Sequence, residues 1–266
     1  MLEMVRYQAP RALIRKLNDS SYEQRSELIV DIHTGRYYNG IPIGMDAMQD
    51  YDDSEVYWWR PLDDRQPDTR AKILFAAYRE IHVNGFQSAS LSNILARTGV
   101  TKGALYHHFP NKTELGYAVV DEVIARRIYL GFIEPLQHFD DPVEGFIQLI
   151  QDAGNAFSMT DIELGCPLSV LAQEMAPIDE GFRQRLTAIY QQWHSSIAEV
   201  LRGAQQRGLI KESVDVYAMA VTIAAIMEGS LNAAKVAQDL DKLKQCGSGL
   251  TQLLHLLRTD NGDTTI

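Results

Sequence analysis

The segment at residues 101–112 (TKGALYHHFPNK) carries the side chains of this chain that are best suited to contact DNA. Lys, Tyr, His and Thr donate hydrogen bonds to phosphate oxygens and to base edges. The segment follows a predicted helix that ends at Thr98 and Gly99, since Gly adopts the left-handed conformation that a tight turn needs. A helix, a tight turn and a short helix form the helix-turn-helix arrangement, whose second helix enters the major groove. The pattern therefore predicts a DNA-reading helix.

Two residues of this segment go against helix preference in a way that DNA contact would explain. Gly103 costs a helix about 1 kcal/mol relative to Ala, and its missing side chain allows close approach to DNA. Lys112 lies in the first turn of the next predicted helix, where a cation opposes the helix dipole by roughly 0.3–1 kcal/mol unless a phosphate binds there. Taken alone, Lys102 and Lys112 are also compatible with solvated lysines, and Tyr106 and Phe109 with core aromatics, an alternative that is favoured for Phe109. The combined spacing favours DNA.

Capping residues and helical spacing predict the elements that position this segment. Apolar residues at Leu74, Ala77, Tyr78 and Ile81 recur with the spacing of one buried helix face. Side chains that cap helix N-termini precede the first four predicted helices, at Asp68, Ser90, Thr101 and Asn111. The fourth helix is predicted to run to about Ile133. Further helices are predicted near 142–159, 167–176, 180–207, 214–237 and 239–258, so the fold class is all-α.

The charge distribution singles out one short basic module between two acidic segments. The chain of 266 residues has a net charge of −10. Residues 67–112 carry 6 Lys/Arg against 2 Asp/Glu, whereas residues 113–266 carry 11 against 21. Residues 1–66 carry 8 Lys/Arg against 12 Asp/Glu. A local positive patch steers DNA toward the module, while the acidic remainder limits nonspecific binding.

Other functional classes find little support in the sequence. The longest apolar run, at residues 217–227, is too short to span a bilayer and reads as a core or interface helix. His107 and His108 are adjacent and point to different sides of a helix, which makes them poor candidates for a shared metal. We find no phosphate-binding loop, metal-ligand spacing or nucleophile motif, so we expect neither an enzyme nor a cofactor. Two distant cysteines, Cys166 and Cys246, favour a reduced, cytoplasmic protein.

Residues 1–66 form an extension whose role the sequence leaves open. Helical stretches are plausible at residues 10–17 and 22–32, and an aromatic cluster, Tyr57, Trp58 and Trp59, follows an acidic run. One interpretation is a poorly ordered arm, and another is an accessory element whose Trp pair docks on the main body. A third is that translation starts downstream and the segment is not made.

The helix-turn-helix residues resemble the TetR family of bacterial transcriptional regulators. The similarity begins at Thr69 and Arg70, continues through Gly85 and Phe86, and culminates in TGVTKGALYHHFPNK at residues 98–112. That block is close to the family's signature and is highly specific, and with the helical remainder the resemblance covers about residues 68–258. Leu95 departs from the family, which usually has a small Ala there. The long N-terminal extension is also outside the family pattern.

The resemblance implies a DNA-binding domain at residues 67–115, a helical effector-binding and dimerisation domain at 116–259 and a tail at 260–266. It implies that Tyr106, Lys112 and Ser90 contact phosphates and that Lys102 contacts a guanine or the backbone. The DNA-binding residues carried over by position are Ser90, Thr101, Lys102, Gly103, Ala104, Tyr106, His107 and Lys112. Double-stranded operator DNA is therefore the expected partner, and a dimer would read two half-sites about 34 Å apart.

The remaining helices are expected to provide dimerisation and signal sensing. Dimerisation is assigned to the helices near 214–237 and 239–258, which are rich in small and Leu residues; burial of these faces within one chain is the alternative. A small-molecule effector would bind between the middle helices, since such pockets are mostly apolar. Candidate lining residues, each also compatible with plain core packing, are Phe146, Ile150, Phe157, Cys166, Leu171, Tyr190, Trp193, His194 and Met227. The function expected is a repressor that an effector releases from a palindromic operator. The alternative function is a redox or electrophile switch at Cys166. The competing interpretation of Cys166 is a buried, unreactive thiol.

Overall fold

A computed structural model describes residues 28–31, 36–39 and 68–259 and divides the chain into two units. Within the first unit, strand β1 (Leu28–Asp31) pairs antiparallel with β2 (Arg36–Asn39), so that Leu28 lies opposite Asn39. The helix predicted at residues 22–32 is therefore wrong over Leu28–Asp31. The physical reason is composition: Leu-Ile-Val in one strand and the Tyr pair in the other are strand-forming residues. The other predictions for the extension, at residues 10–17 and 57–59, lie outside the described residues.

The second unit is helical and begins with the predicted three-helix module. It consists of α1 (Thr69–Asn84), α2 (Leu91–Thr98) and α3 (Lys102–His108). Each predicted N-cap side chain accepts a hydrogen bond from a backbone N–H three residues later, and this confirms the helix starts at Asp68, Ser90, Thr101 and Asn111. Gly99, which ends α2, has a φ of +64°, the left-handed conformation that the turn was expected to need.

Helix α4 connects this module to the rest of the unit. It begins at Lys112–Ala118 and continues without a break through π-helical Val119–Ile124, α-helical Ala125–Ile128 and π-helical Tyr129–Ile133, so that the predicted end near Ile133 is confirmed. In π-helical turns the backbone bonds span five residues. Such turns are rare, and they occur frequently at functional sites.

The body follows α4 as a helical bundle. A 3₁₀ turn at Pro135–His138 leads into α5 (Pro142–Ala156), α6 (Met159–Leu164), α7 (Pro167–Met175), α8 (Glu180–Gln206), α9 (Val216–Ala237) and α10 (Leu240–Leu257). The five helices predicted between residues 142 and 258 are present to within a few residues. The separate helix α6 differs from the expectation of one helix over residues 142–159. The chain instead becomes extended at Phe157 and restarts at a capping box formed by Ser158 and Asp161.

One continuous apolar core joins the module to the body. Its largest fully buried side chains are Trp193, Phe146 and Phe182. At the junction, the ring of Phe182 on α8 lies 4.6 Å, centroid to centroid, from that of Phe86 in the turn after α1. Gly116 on α4 lies against both rings, since a Cβ there would be 2.7 Å from Phe182 Cζ and closer still to Phe86. The absence of a side chain at Gly116 therefore lets α4 approach the module closely.

Candidate nucleic-acid interface

Helix α3 is anchored on one side and open on the other. Leu105 and Phe109 are 1% and 3% exposed and hold the helix against the core. Tyr106, in contrast, is 41% exposed, and Lys102 and His107 are also exposed. The interpretation as a core aromatic therefore holds for Phe109 and does not hold for Tyr106. The outward side of α3 presents cationic, phenolic and imidazole groups, which suit phosphates and base edges.

Lys102 and Tyr106 lie together one turn apart on this outward side. The Lys102 Nζ atom is 5.9 Å from the centroid of the Tyr106 ring, which is within the range of a cation–π contact. The contact restricts the conformations available to the long, solvated side chain of Lys102. Both polar tips thus remain available beside each other, one as a cation and the other as a hydroxyl.

Gly103 is open to the outside of the protein. Among the described residues, no atom other than the helix's own backbone and its chain neighbours lies within 4 Å of a Cβ built at this position. Packing within this part of the chain therefore does not require a Gly here, and φ is not in the left-handed region. The half-buried Ala104 follows, and its backbone N–H donates to Thr101 Oγ1 over 3.2 Å. Since a hydroxyl is also a donor, Thr101 caps α3 and still has a hydrogen to offer.

Ser90 is held at the start of α2 by a buried carboxylate that the sequence reasoning missed. Glu80 on α1 is 3% exposed, and its Oε1 accepts from the backbone N–H of Ser90 over 3.1 Å and from Asn93 Nδ2 over 2.9 Å. Ser90 Oγ in turn accepts from the backbone N–H of Asn93. Glu80 therefore fixes the direction of α2. In the sequence, the feature that could have indicated this role is the position of a Glu on the inward face of a predicted helix.

Lys112 makes contacts within the protein that were not predicted. Its Nζ donates to the backbone oxygen of Gln87 over 2.9 Å and lies 5.1 Å from the centroid of the Phe86 ring. The side chain is half-buried. An ammonium has three donors, so one bond to Gln87 leaves the predicted phosphate contact possible. Lys112 is, however, already a structural link between α4 and the turn after α1.

The residues expected to line an effector pocket separate into two groups. Phe146, Leu171 and Trp193 are buried core residues, whereas Cys166, Tyr190 and His194 are half-buried, as are Ile150, Phe157 and Met227. A cavity of about 290 Å³ lies elsewhere, between the end of α4, the 3₁₀ turn and α8. It is lined by Ile133, Leu136, Gln137, Ser196, Glu199 and Val200. None of the nine expected residues lines that cavity, and Leu171 borders a much smaller space beside α1.

Two of the expected pocket residues, Cys166 and Tyr190, lie near Glu228, which was not among the expected residues. Tyr190 donates its hydroxyl to Glu228 Oε1 over 2.6 Å, and its ring lies 6.0 Å from that of His194. Burial raises the pKa of Glu228 and lowers the pKa of His194. Burial, together with the Glu228 carboxylate, raises the pKa of the Cys166 thiol to about 11. This Cys166–Tyr190–Glu228 cluster is therefore poorly solvated.

Trp193 has an unusual polar atom for a core residue. Its side chain is 2% exposed, and within the described part of the chain its Nε1 has no hydrogen-bond partner. The ring packs 5.4 Å, centroid to centroid, from that of Phe132 on α4. An unpaired buried N–H costs about 1–3 kcal/mol. A ligand that accepted this hydrogen bond would recover part of that cost.

Two family models match the chain. The model described as "Bacterial regulatory proteins, tetR family" matches residues 73–119, and "Transcriptional regulator LmrA/YxaF-like, C-terminal domain" matches residues 142–248. The first covers the interface built by α1 to α4. The second covers most of the body.

Individual relatives agree with these matches. The HTH-type transcriptional regulator LmrA of Bacillus subtilis is 29% identical over 188 residues, which are 70% of this chain and 97% of that protein. An uncharacterized HTH-type transcriptional regulator from Lactococcus lactis is 30% identical over 179 residues, 66% of this chain and 88% of its own. The crystal structure of a TetR transcriptional regulator from Chloroflexus aurantiacus is 25% identical with a TM-score of 0.63, and the match covers 71% of this chain and 96% of that one.

The open position of Gly103 gives a test of the interface. We expect Gly103→Ala to raise the free energy of unfolding by about 0.5–1 kcal/mol, because Ala favours a helix. The added methyl group points away from the protein, so the variant should bind an operator duplex about tenfold more weakly, a loss of about 1.4 kcal/mol. Denaturant unfolding and gel-shift titration measure the two effects. Gly203→Ala on α8, where a Cβ also meets nothing within 4 Å, is the control and should gain stability without losing affinity. Equal DNA binding by Gly103→Ala and wild type would contradict the interface.

The pKa of Cys166 gives a second test. Because the thiolate is the nucleophile, a pKa of about 11 leaves about one thiol in a thousand ionised at pH 8. We expect alkylation of Cys166 by iodoacetamide to be slow at pH 7–8 and to accelerate as pH rises toward 11. The Cys166→Ser variant keeps Cys246 and supplies the background rate. A midpoint of Cys166 labelling near pH 8 would show that the thiol is not shielded in this way.

Proposed function

Because the chain belongs to the TetR family of bacterial transcriptional regulators, whose members bind operator DNA as dimers, we propose that it is a repressor released from a palindromic operator by a small-molecule effector. The observation that carries the proposal is the outward side of α3. There Lys102 and Tyr106 stand beside the open Gly103, while Leu105 and Phe109 hold the helix in place from behind.

In this proposal α3 lies in the major groove and the N-termini of the neighbouring helices face the backbone. Gly103 allows α3 to approach the bases, and Lys102 reaches a guanine or a phosphate. Ser90 at the start of α2 and Lys112 at the start of α4 lie at helix N-termini, where backbone N–H groups and the helix dipole favour phosphate. These contacts set the register of the module, and α3 supplies the sequence preference.

We propose that two copies pair through α9 and α10. In a single chain α9 exposes apolar side chains, with Tyr217 47% and Val221 37% exposed. Its length and apolar character would also suit a membrane span. Exposed small residues on the same helix, including Ala225 and Gly229, allow close helix approach. A partner's α9 and α10 would bury this surface in a four-helix bundle and bring two α3 helices to successive half-sites, which favours pairing over a membrane span.

Effector control in this proposal is a population shift. An effector that binds better to a conformation with misplaced α3 helices must lower operator affinity by the same factor, because binding free energies are linked. The unpaired Nε1 of Trp193 and the poorly solvated Cys166–Tyr190–Glu228 cluster support a site in the body. The π-helical turns of α4 lie between that region and the DNA module.

The alternative, a redox or electrophile switch at Cys166, finds less support. Burial raises the pKa of this thiol to about 11, whereas sensing cysteines have lowered pKa values and accessible sulfur atoms. A location in the cytoplasm, where operator DNA and reduced thiols are found, accords with the proposed repressor and with an inert Cys166.

The role of Lys102 can be tested in a gel-shift titration at several salt concentrations. We expect Lys102→Ala to weaken operator binding about tenfold or more, since one good contact to a base is worth about 1–3 kcal/mol. If Lys102 binds a phosphate, the slope of log K against log salt should also fall by about one per half-site. Arg202→Ala, which removes an exposed cation on α8, outside the proposed DNA and dimer interfaces, is the control. Wild-type affinity together with a wild-type salt slope would rule out the assignment.

The proposed dimer can be tested by placing a charge on α9. We expect wild type to sediment as a dimer at micromolar concentration, and Val221→Arg and Ala225→Arg to shift it toward monomer, because an unpaired charge in an interface is costly. Ile178→Arg is the control, since Ile178 is 62% exposed and lies between α7 and α8. A monomeric wild type, or dimeric Val221→Arg and Ala225→Arg, would disprove pairing through α9.

A further inference from the structure

The turn between α1 and α2 is held by a carboxylate from the body. Glu174 on α7 accepts hydrogen bonds from two successive backbone amides, with Phe86 N to Oε2 at 2.7 Å and Gln87 N to Oε1 at 2.8 Å. Both oxygens are thus engaged in short, charge-assisted bonds. Gly85, at a φ of +77°, allows this approach, because a Cβ there would lie 2.9 Å from Glu174 Oε2.

The same turn is also held from the side of α4. Lys112 Nζ donates to the backbone oxygen of Gln87 and lies over the Phe86 ring, which packs in turn against Phe182 on α8. The two N–H groups of residues 86–87 therefore face an anion, and the carbonyl of Gln87 faces a cation. Lys112 belongs to the DNA-binding domain, whereas Glu174 belongs to the body, so of these two side chains Glu174 is the one that connects the turn to α7.

The position of this turn determines the position of α2. Ser90, the N-cap of α2, follows Gln87 by three residues, and Glu80 holds its backbone against α1. A movement of residues 86–87 therefore acts on the start of α2 against the hold of Glu80. Since α2 and α3 are joined by a tight turn at Gly99, the DNA-reading helix would move with them.

The other end of α7 contacts both the body and α1. Lys235 on α9 donates to the backbone oxygen of Leu164 over 3.0 Å, and His82 Nε2 on α1 lies 2.9 Å from the oxygen of Gly165. Cys166, the next residue, precedes the first turn of α7 and lies close enough to Glu228 to feel its charge. Helix α7 has 9 residues and is therefore about 13 Å long. As one short, rigid helix, α7 connects the Cys166–Tyr190–Glu228 cluster at its N-terminal end to the α1–α2 turn at its C-terminal end.

We propose that Glu174 is the positioning residue through which α7 couples the body of the protein to its DNA-reading helix. The proposal rests on the proposed function, because it assigns the route by which an occupied effector site would disturb α3. Opening the Cys166–Tyr190–Glu228 cluster displaces α7, and the displaced Glu174 releases the amides of Phe86 and Gln87. The start of α2 is then held by Glu80 without support from the turn that precedes it.

Three variants separate this role from a general structural one. Glu174→Gln keeps the size of the side chain and removes the charge. Both amides lose the carboxylate, and one of them then faces an NH2 donor instead of an acceptor oxygen. Glu174→Asp keeps the charge on a side chain that is one methylene shorter and cannot reach both amides from the same helix position. Glu163→Gln, an exposed residue on α6, is the matched control for the loss of a negative charge.

The first measurement is affinity for a DNA duplex that wild type has selected from a random pool. We expect Glu174→Gln to bind it about tenfold more weakly, as the loss of one charge-assisted bond implies, with Glu174→Asp between it and wild type. Glu163→Gln should stay within about twofold of wild type, a difference of about 0.4 kcal/mol by the same conversion. Circular dichroism and sedimentation should show the same fold and oligomeric state for all four proteins.

The second measurement tests coupling by hydrogen exchange with and without the saturating duplex. In wild type, bound DNA should change the exchange of the amides at residues 164–166, because coupling between two sites is reciprocal. Glu174→Gln should abolish that change even when its DNA sites are full, and it should speed exchange at Phe86 and Gln87. A residue that only supported the fold would leave the DNA-dependent change intact.

The outcomes distinguish this inference from the proposed function. If wild type selects no duplex, the repressor proposal fails and the inference fails with it. If wild type binds and Glu174→Gln matches it in affinity and in the DNA-dependent exchange at residues 164–166, the inference alone is overturned. Weakened binding with an intact exchange response also overturns it, since Glu174 would then support the module without coupling it to α7.

Discussion

The structure depends on how a helix of only 7 residues, α3, is kept in one place. Isolated helices shorter than about 12–15 residues are marginal in water, so α3 has no stable geometry of its own. It is held by the burial of Leu105 and Phe109 and by the cap from Thr101. The opposite side must stay free of protein contacts to meet DNA. The other helices of the DNA-reading module provide the surface against which α3 is anchored or determine where that surface lies.

This constraint explains where the polar groups of the module are buried. Glu80 is an expensive residue to bury, since a desolvated carboxylate needs hydrogen-bond partners. Its contacts with Ser90 and Asn93 fix the start of α2, and α2 is the helix from which the turn into α3 departs. A buried carboxylate with two donors supplies direction as well as attraction, which an apolar contact of similar area would not. Glu174 does the same for the turn that precedes α2.

The parts of this architecture that were predictable from sequence are those with local causes. The caps at Asp68, Ser90, Thr101 and Asn111 depend on residues three positions away, and all four are present. The break at Phe157 was missed although Ser158 and Asp161 have capping-box spacing, because the apolar period continues through it. The strand Leu28–Asp31 was missed because its strand-forming composition takes effect only when the segment pairs with Arg36–Asn39.

Contacts between distant residues had no comparable signal. Glu174 and Phe86 are 88 positions apart, and in the sequence Glu174 is an ordinary acidic residue on a predicted helix. Glu228 was overlooked beside Tyr190 for the same reason, since nothing local indicates that its carboxylate is buried. Lys112 was selected for its unfavourable position at a helix N-terminus, and its bond to Gln87 is a second explanation for that position. The recognisable block at residues 98–112 thus indicated the interface but not its supports.

The strength of the Glu174 contact suits a device that must both hold and release. Hydrogen bonds to charged groups contribute about 1.5–3 kcal/mol each when well shielded, and a half-buried carboxylate such as Glu174 will give less because water screens it. Coupling energies between sites in allosteric proteins are typically 1–3 kcal/mol. The free energy of two partly exposed hydrogen bonds therefore falls in the range that a ligand can overcome by binding one conformation more tightly than the other. A fully buried ion pair at the same place would fix the module more firmly, and it would leave an effector too little free energy to move it.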